Sequence, residues 1–251
     1  MKSANSDQAF EYIRKRILNG EYPPGKPLVA DTLSSEIGVS RTPVRDALRQ
    51  LEMWGLVSII THRGAFVKSM DMEEFAGVCG MRLALEGYAA GQAAKNRTDE
   101  ALHSIKFTLD TMRKIVQSVS DGTPTETYVD DMIREDVRFH VAIMTAARNE
   151  VLKKEILKLH LINRVILGEP NNSPFSLVAQ EQQFARYRAV DQSHEDIFRA
   201  IERRDTRGAR DAMESHIQEI IDTSMHNFSA NDGVLARRTL SADEMMYHGK
   251  V

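Results

Sequence analysis

Residues 33 to 67 carry a succession of local patterns that leaves few folds open. Leu33 and Ile37 lie one helical turn apart and are followed at once by Gly38, where a residue free to take a left-handed backbone turns the chain sharply. After Val39-Ser40 a second helix is expected, with Thr42 as its N-cap and Pro43 at the first helical position, where a missing N–H costs nothing. Val44, Leu48 and Leu51 form its inward stripe, while Arg41, Arg45 and Arg49 recur at every fourth residue and so project from one outer face. The period then changes: Trp54 to Ile60 and Ala65 to Val67 read as two short β runs joined by the tight turn Thr61-His62-Arg63-Gly64. Two helices meeting at a sharp turn, backed by a hairpin, make a small folded unit. Its three aligned arginines are either a solvated face or the meeting surface for an anionic partner.

Upstream, Phe10, Ile13, Ile17 and Leu18 keep helical spacing, with Ser6 expected to cap the start and Gly20 to close the end. Tyr22-Pro23-Pro24-Gly25 then forms a turn. The charge balance agrees with an anionic partner for this region alone. Residues 1 to 70 hold 10 basic and 7 acidic side chains, net +3, whereas the remainder holds 23 and 29, net -6. A basic head on an acidic body confines phosphate binding to the head, because Lys and Arg displace condensed counterions from nucleic acid. A helix-turn-helix with an arginine face suits the major groove of double-stranded DNA, and the hairpin suits the neighbouring backbone or minor groove.

At these residues the sequence resembles a known family. EYPPGKPL, IGVSRTPVRDALRQLEMWGLV and HRGAFV, spanning about residues 6 to 68, are similar to the winged helix of GntR-type bacterial regulators. The resemblance implies that Arg41, Thr42, Arg45 and Arg49 contact bases and phosphates, assisted by His62, Arg63 and Gly64 of the wing. Several members carry an arginine on the first helix of the motif where this chain has Asp31.

From Asp71 onward Pro is rare, apolar residues recur at spacings of three and four, and no period-two run appears. Helices are expected over about 72 to 95, 99 to 119, 125 to 147, 150 to 167, 178 to 203 and 206 to 228, and their short connections favour antiparallel neighbours. The fold class is therefore mostly α: a winged helix-turn-helix with a small β wing over residues 1 to 70, an all-α antiparallel bundle over 71 to 228, and a polar tail over 229 to 251. No run of eighteen apolar residues and no signal-peptide pattern occurs, so a soluble cytoplasmic chain without a membrane partner is expected. The single cysteine, Cys79, reads as a small buried hydrophobe.

Within the bundle, Asp136 and His140 stand one turn apart on a face shared with Phe139 and Ile143, where an unpaired carboxylate would be costly. His194 and His216 occupy similar settings beside isoleucines. One carboxylate and three imidazoles suit a borderline divalent ion: Zn first, with Ni, Mn or Fe as alternatives. A second resemblance joins these residues. MRLALEGYAAGQAA, DVRFHVAIMTAARN and SHEDIFRAIERRDTRGARDAMESHI, within about residues 72 to 228, are similar to the FCD-type ligand-binding domain of the FadR subgroup. It implies that Asp136, His140, His194 and His216 hold a metal in the middle of the bundle, and that Arg82 pairs with a carboxylate of the effector. The bare sequence offers a second partner for Arg82, namely Glu86 one turn on.

These readings converge on a ligand-responsive transcriptional regulator, a homodimer on a palindromic operator, sensing a small organic or sugar acid. Three rivals are a metal-dependent hydrolase-like enzyme, an architectural DNA-binding protein with an empty bundle, and a fatty acyl-CoA-type sensor without metal. The enzyme leaves the winged helix unexplained, the architectural protein requires no bound metal, and the acyl-CoA sensor leaves the complete metal quartet unexplained.

Overall fold

A computed structural model describes residues 4–123, 127–167 and 180–230. The chain divides into two compact units, one built on residues 1–75 and the other beginning at residue 76. In the first, helix α1 (Ala4–Leu18) starts two residues before the expected cap. Ser6 is buried, and its Oγ accepts a hydrogen bond from Gln50 Nε2 at 3.2 Å, so the hydroxyl ties two helices together instead of capping one. Helix α2 (Ala30–Ile37) stops at Gly38, which takes φ +78° and donates its N–H to Ser34 O.

Helix α3 (Arg41–Met53) has Ser40 as its N-cap, two residues before the expected Thr42, so Thr42 lies inside the first turn. Pro43 is tolerated there because the first four amides of a helix have no carbonyl to reach. Its end is a Schellman turn: Gly55, at φ +72°, donates to Glu52 O and Leu56 to Leu51 O. That turn takes up Trp54 to Leu56, which the sequence suggested for a strand, and β2 (Val57–Ile60) begins after it. Strand β3 (Gly64–Val67) pairs with β2 and, on its other edge, with a strand the sequence reading missed, β1 (Pro27–Leu28), all antiparallel. Ile13, Ile17, Leu33, Val44, Leu51, Leu56 and Val67 fill the core beneath.

The helices that follow are α4 (Met72–Asn96), α5 (Asp99–Ser120), α6 (Tyr128–Ala146), α7 (Glu150–Leu167), α8 (Gln180–Glu202) and α9 (Thr206–Ala230), all in the second unit except residues 72–75 of α4 and 158–167 of α7, which group with the first. Expected helix residues 125–126 and 178–179 and tail residues 231–251 lie outside the described residues, while α9 continues past the expected end at 228. Thr98 caps α5 by accepting from Ala101 N, and Asn149 Oδ1 accepts from Leu152 N at the start of α7.

Ile105, Leu109, Phe139, Ile143, Ile197, Ile201 and Ile217 belong to one buried cluster. Arg113 of α5 binds Asp191 Oδ1 at 2.9 Å and Glu195 Oε2 at 2.6 Å, which fixes the rotation of α8 about its axis. Gly87 lets α9 approach α4 closely: a Cβ there would stand 2.5 Å from Glu214 Cγ. Cys79 is buried and free, and burial raises its thiol pKa against the opposing charge of Arg82. Among the described residues, no helix is long and apolar enough to cross a membrane.

Candidate metal centre and nucleic-acid interface

Arg41, Thr42, Arg45 and Arg49 are all exposed, while Pro43, Val44, Ala47, Leu48 and Leu51 on the opposite face of α3 are buried. The helix therefore spends its apolar stripe on its own core and leaves a cationic stripe to solvent. Arg41 is ion-paired with Asp31 of α2, and Arg49 Nη1 lies 3.8 Å from Asp46 Oδ1. At the hairpin tip His62 takes φ +62° and Gly64 φ +101°, and His62, Arg63 and Gly64 are exposed. Arg63 sits with its guanidinium carbon 5.8 Å from the centroid of the Phe66 ring.

The second cluster is of the opposite kind. Asp136 and His140 come from α6, His194 from α8 and His216 from α9, and one ligand atom from each lies within 4.8 Å of the others. His216 Nε2 is 3.2 Å from His194 Nε2 and 3.3 Å from His140 Nε2, and His194 Nε2 is 3.4 Å from Asp136 Oδ1. The three imidazoles are buried, whereas Asp136 is half-buried and forms the open side. Four donors bound tetrahedrally at about 2.1 Å lie about 3.4 Å apart, a spacing that these three separations match.

Burial lowers the pKa of His194 well below its ordinary value, reinforced by the charges of His216 and His140. It lowers that of His216 to about 3, with His140 acting in the same direction. Both rings are then neutral near pH 7 and keep a lone pair for a cation. His140 differs. Burial opposes its charged form, but the hydrogen bond to Glu86 and the charges of Asp136 and Glu86 outweigh this and raise its pKa.

Arg82 is buried on α4 and donates from Nε to Glu86 Oε1 at 2.8 Å, so the partner one turn on is the one it holds in this structure. The same carboxylate reaches on: Glu86 Oε2 lies 3.1 Å from His140 Nδ1. Sequence reasoning weighed Glu86 only as a partner for Arg82, and it passed over Ser193, whose Oγ lies 2.9 Å from His216 Nδ1. Nothing in their spacing distinguished either residue. His194 Nδ1 and Glu135 Oε2 are buried without a hydrogen-bond partner among the described residues.

Residues 78–219 match the FCD domain family, and residues 5–67 match the family described as bacterial regulatory proteins, gntR family. The chain is 26% identical over 218 residues to the HTH-type transcriptional repressor RspR of Escherichia coli (strain K12), covering 87% of this chain and 88% of that protein. It is 25% identical over 230 residues to a probable D-xylose utilization operon transcriptional repressor of Paenarthrobacter nicotinovorans, covering 91% of each. Among solved structures it resembles E. coli McbR/YncC, with a TM-score of 0.63 and 20% identity over 91% of this chain and 100% of that one.

Proposed function

The chain belongs to the gntR family of bacterial regulatory proteins, with an FCD domain, and from that premise we propose a carboxylate-sensing, metal-dependent homodimer acting on a palindromic operator. It is a ligand-responsive transcriptional regulator, not an enzyme. The observation that carries the finer reading is the convergence of Asp136, His140, His194 and His216 around one point, with Arg82 buried behind them in a pair with Glu86.

In this reading residues 1–70 bind DNA and residues 71–228 sense the effector and dimerise. Arg45 and Arg49 reach base edges or phosphates from α3, Arg41 and Thr42 the backbone at its start, and His62, Arg63 and Gly64 the flanking groove. One α3 reads a half-site, so a symmetric operator calls for two copies. In the bundle the four donors hold a divalent cation, zinc in the first instance. When bound, the cation supplies a Lewis-acidic position that an effector carboxylate completes. Arg82 takes the same carboxylate with its two-pronged guanidinium, exchanging Glu86 for the ligand. An effector that binds the two operator-linked states unequally shifts operator affinity by that inequality.

The test is a thermal-shift screen of small organic and sugar acids on zinc-loaded protein, followed by operator titration with and without the best hit. Arg82→Ala is expected to bind operator normally and lose the response, with Arg82→Lys recovering part of it. An Arg82→Ala protein that keeps the full response removes the carboxylate-anchor role.

A further inference from the structure

Two of the three converging imidazoles are held from behind by a polar group of their own, and each arrangement leaves little choice of tautomer. Ser193 Oγ makes two contacts, to Val190 O at 2.9 Å and to His216 Nδ1 at 2.9 Å. A hydroxyl has one hydrogen. Donated to the Val190 carbonyl, which can only accept, it leaves Oγ to accept from His216, so the ring proton of His216 sits on Nδ1. On the other flank, the Glu86 carboxylate can only accept, so His140 Nδ1, 3.1 Å from Oε2, carries its proton on that side. With His140 in its neutral form, both rings turn unprotonated Nε2 atoms toward each other at 3.3 Å. Two lone pairs facing at that distance repel unless something positive lies between them.

We propose that Ser193 and Glu86 are positioning residues that lock His216 and His140 in the Nδ1–H tautomer, so that their Nε2 lone pairs converge on the cation position. The inference rests on the metal reading above and deepens it. Glu86 also binds Arg82 through its other oxygen, at 2.8 Å, so one carboxylate joins the effector anchor to a metal ligand. Ser193 has no such second duty, which makes it the cleaner probe. It lies half-buried on α8, where alanine is a better helix former, so Ser193→Ala is expected to fold.

The experiment uses the full chain stripped of metal, with zinc as the probe. Zinc affinity is measured by competition with a chromophoric chelator, and the ring tautomers of the metal-free protein are read from long-range nitrogen-proton spectra after histidine 15N labelling. In the wild type, at a pH above the raised pKa of His140, His216 and His140 are expected with the proton on Nδ1. Ser193→Ala is expected to lower zinc affinity on the order of tenfold or more and to shift His216 toward Nε2–H, while Ser193→Thr, which keeps the hydroxyl, recovers most of both. Glu86→Gln is expected to do the same at His140.

Wild-type His216 with its proton on Nε2, or Ser193→Ala with unchanged zinc affinity, overturns the proposal. Wild-type protein that takes up no zinc overturns the metal reading instead. The ring spectra then still decide the tautomers on their own.

Discussion

The two candidate sites of this chain use polar side chains in opposite ways. On α3 the arginines stand in water on one outer face and the helix buries only its apolar stripe. In the bundle, imidazoles from α6, α8 and α9 are withdrawn from water and set beside the buried ion pair of α4. Exposed ion pairs contribute about 0 to 1 kcal/mol, so the arginine face costs the fold little and takes its value from the partner it meets. A buried polar group left unpaired costs about 1 to 3 kcal/mol, so the histidine cluster is bound up with the stability of the helices that carry it. The first site is therefore separable from its scaffold and the second is not.

The largest expected effect follows from that coupling. Structural zinc sites bind with about 10 to 16 kcal/mol, which shared among four ligands is about 3 kcal/mol each. His194→Ala is thus expected to lose most bound zinc and the rise in Tm that zinc gives the wild type, as read by elemental analysis and thermal melts. Operator affinity without effector is expected to persist. A variant that loses operator binding to the same degree as zinc would break the contrast between a separable and an inseparable site.

Proton linkage gives the next effect. His194 and His216 have folded pKa values depressed below the ordinary value near 6.5, so their contribution to stability is fully present above pH 6.5. It is lost as pH falls below 6.5 toward the folded values, about 3 for His216, because the unfolded chain takes up protons that the folded one refuses. His140, with a raised pKa, runs the other way: its contribution is present below about 6.5 and lost as pH rises through its folded value. Metal-free protein is therefore expected to lose up to about 1.4 kcal/mol per pH unit from each of two imidazoles below pH 6.5. His216→Gln is expected to flatten the profile by one such share. Chelator-treated melts that stay flat from pH 7 to pH 5 would contradict the buried neutral pair.

The contrast also explains what could be read from sequence. Everything needed for the α3 face lies within one helix: Arg41, Arg45 and Arg49 share a face by spacing alone, and Val44, Leu48 and Leu51 mark the other. The bundle helices were legible for the same local reason, each ending within two residues of the end expected from apolar spacing. Asp136 and His140 were legible as a pair one turn apart. That His194 and His216 join them is a property of how α6, α8 and α9 pack: their settings beside isoleucines made them candidates, and the family resemblance drew the four into one site.

The contributions of Glu86 and Ser193 were invisible because a polar contact from α4 to α6, or from α8 to α9, leaves no periodic trace. Strand β1 escaped for a related reason: two residues, one of them Pro27, pair only because β3 offers a free edge.

A smaller effect tests the separable site. Arg45→Ala and Arg49→Ala are each expected to weaken operator binding by about 1 to 3 kcal/mol if the contact is a base-edge pair, with unchanged Tm and zinc content. Anisotropy titration against specific and scrambled DNA distinguishes the two kinds of contact. A base contact loses specificity, whereas a phosphate contact weakens both and lowers the salt slope by about one. Either variant binding the operator as tightly as wild type removes that arginine from the interface.

The smallest effect concerns Asp31, which sets a carboxylate of α2 against the arginine face. Asp31 holds Arg41 in an ion pair whose side chains are 59% and 66% exposed, so solvent screening limits its worth to at most about 1 kcal/mol. A DNA phosphate approaching Arg41 has to compete with that carboxylate and is itself repelled by it. Asp31→Asn is therefore expected to raise operator affinity a few-fold at low salt, with a salt slope steeper by up to about one, and the gain is expected to fade as salt screens the exposed charges. The substitution also removes an acid from the first turn of α2, where it favours the helix by about 0.3 to 1 kcal/mol, so a slight drop in Tm should accompany the tighter binding. In an Arg41→Ala background the same change should gain less, because only the repulsion is left to relieve. If Asp31→Asn leaves both affinity and slope where they were, Arg41 stays with its carboxylate on the operator. The cationic stripe then begins at Arg45.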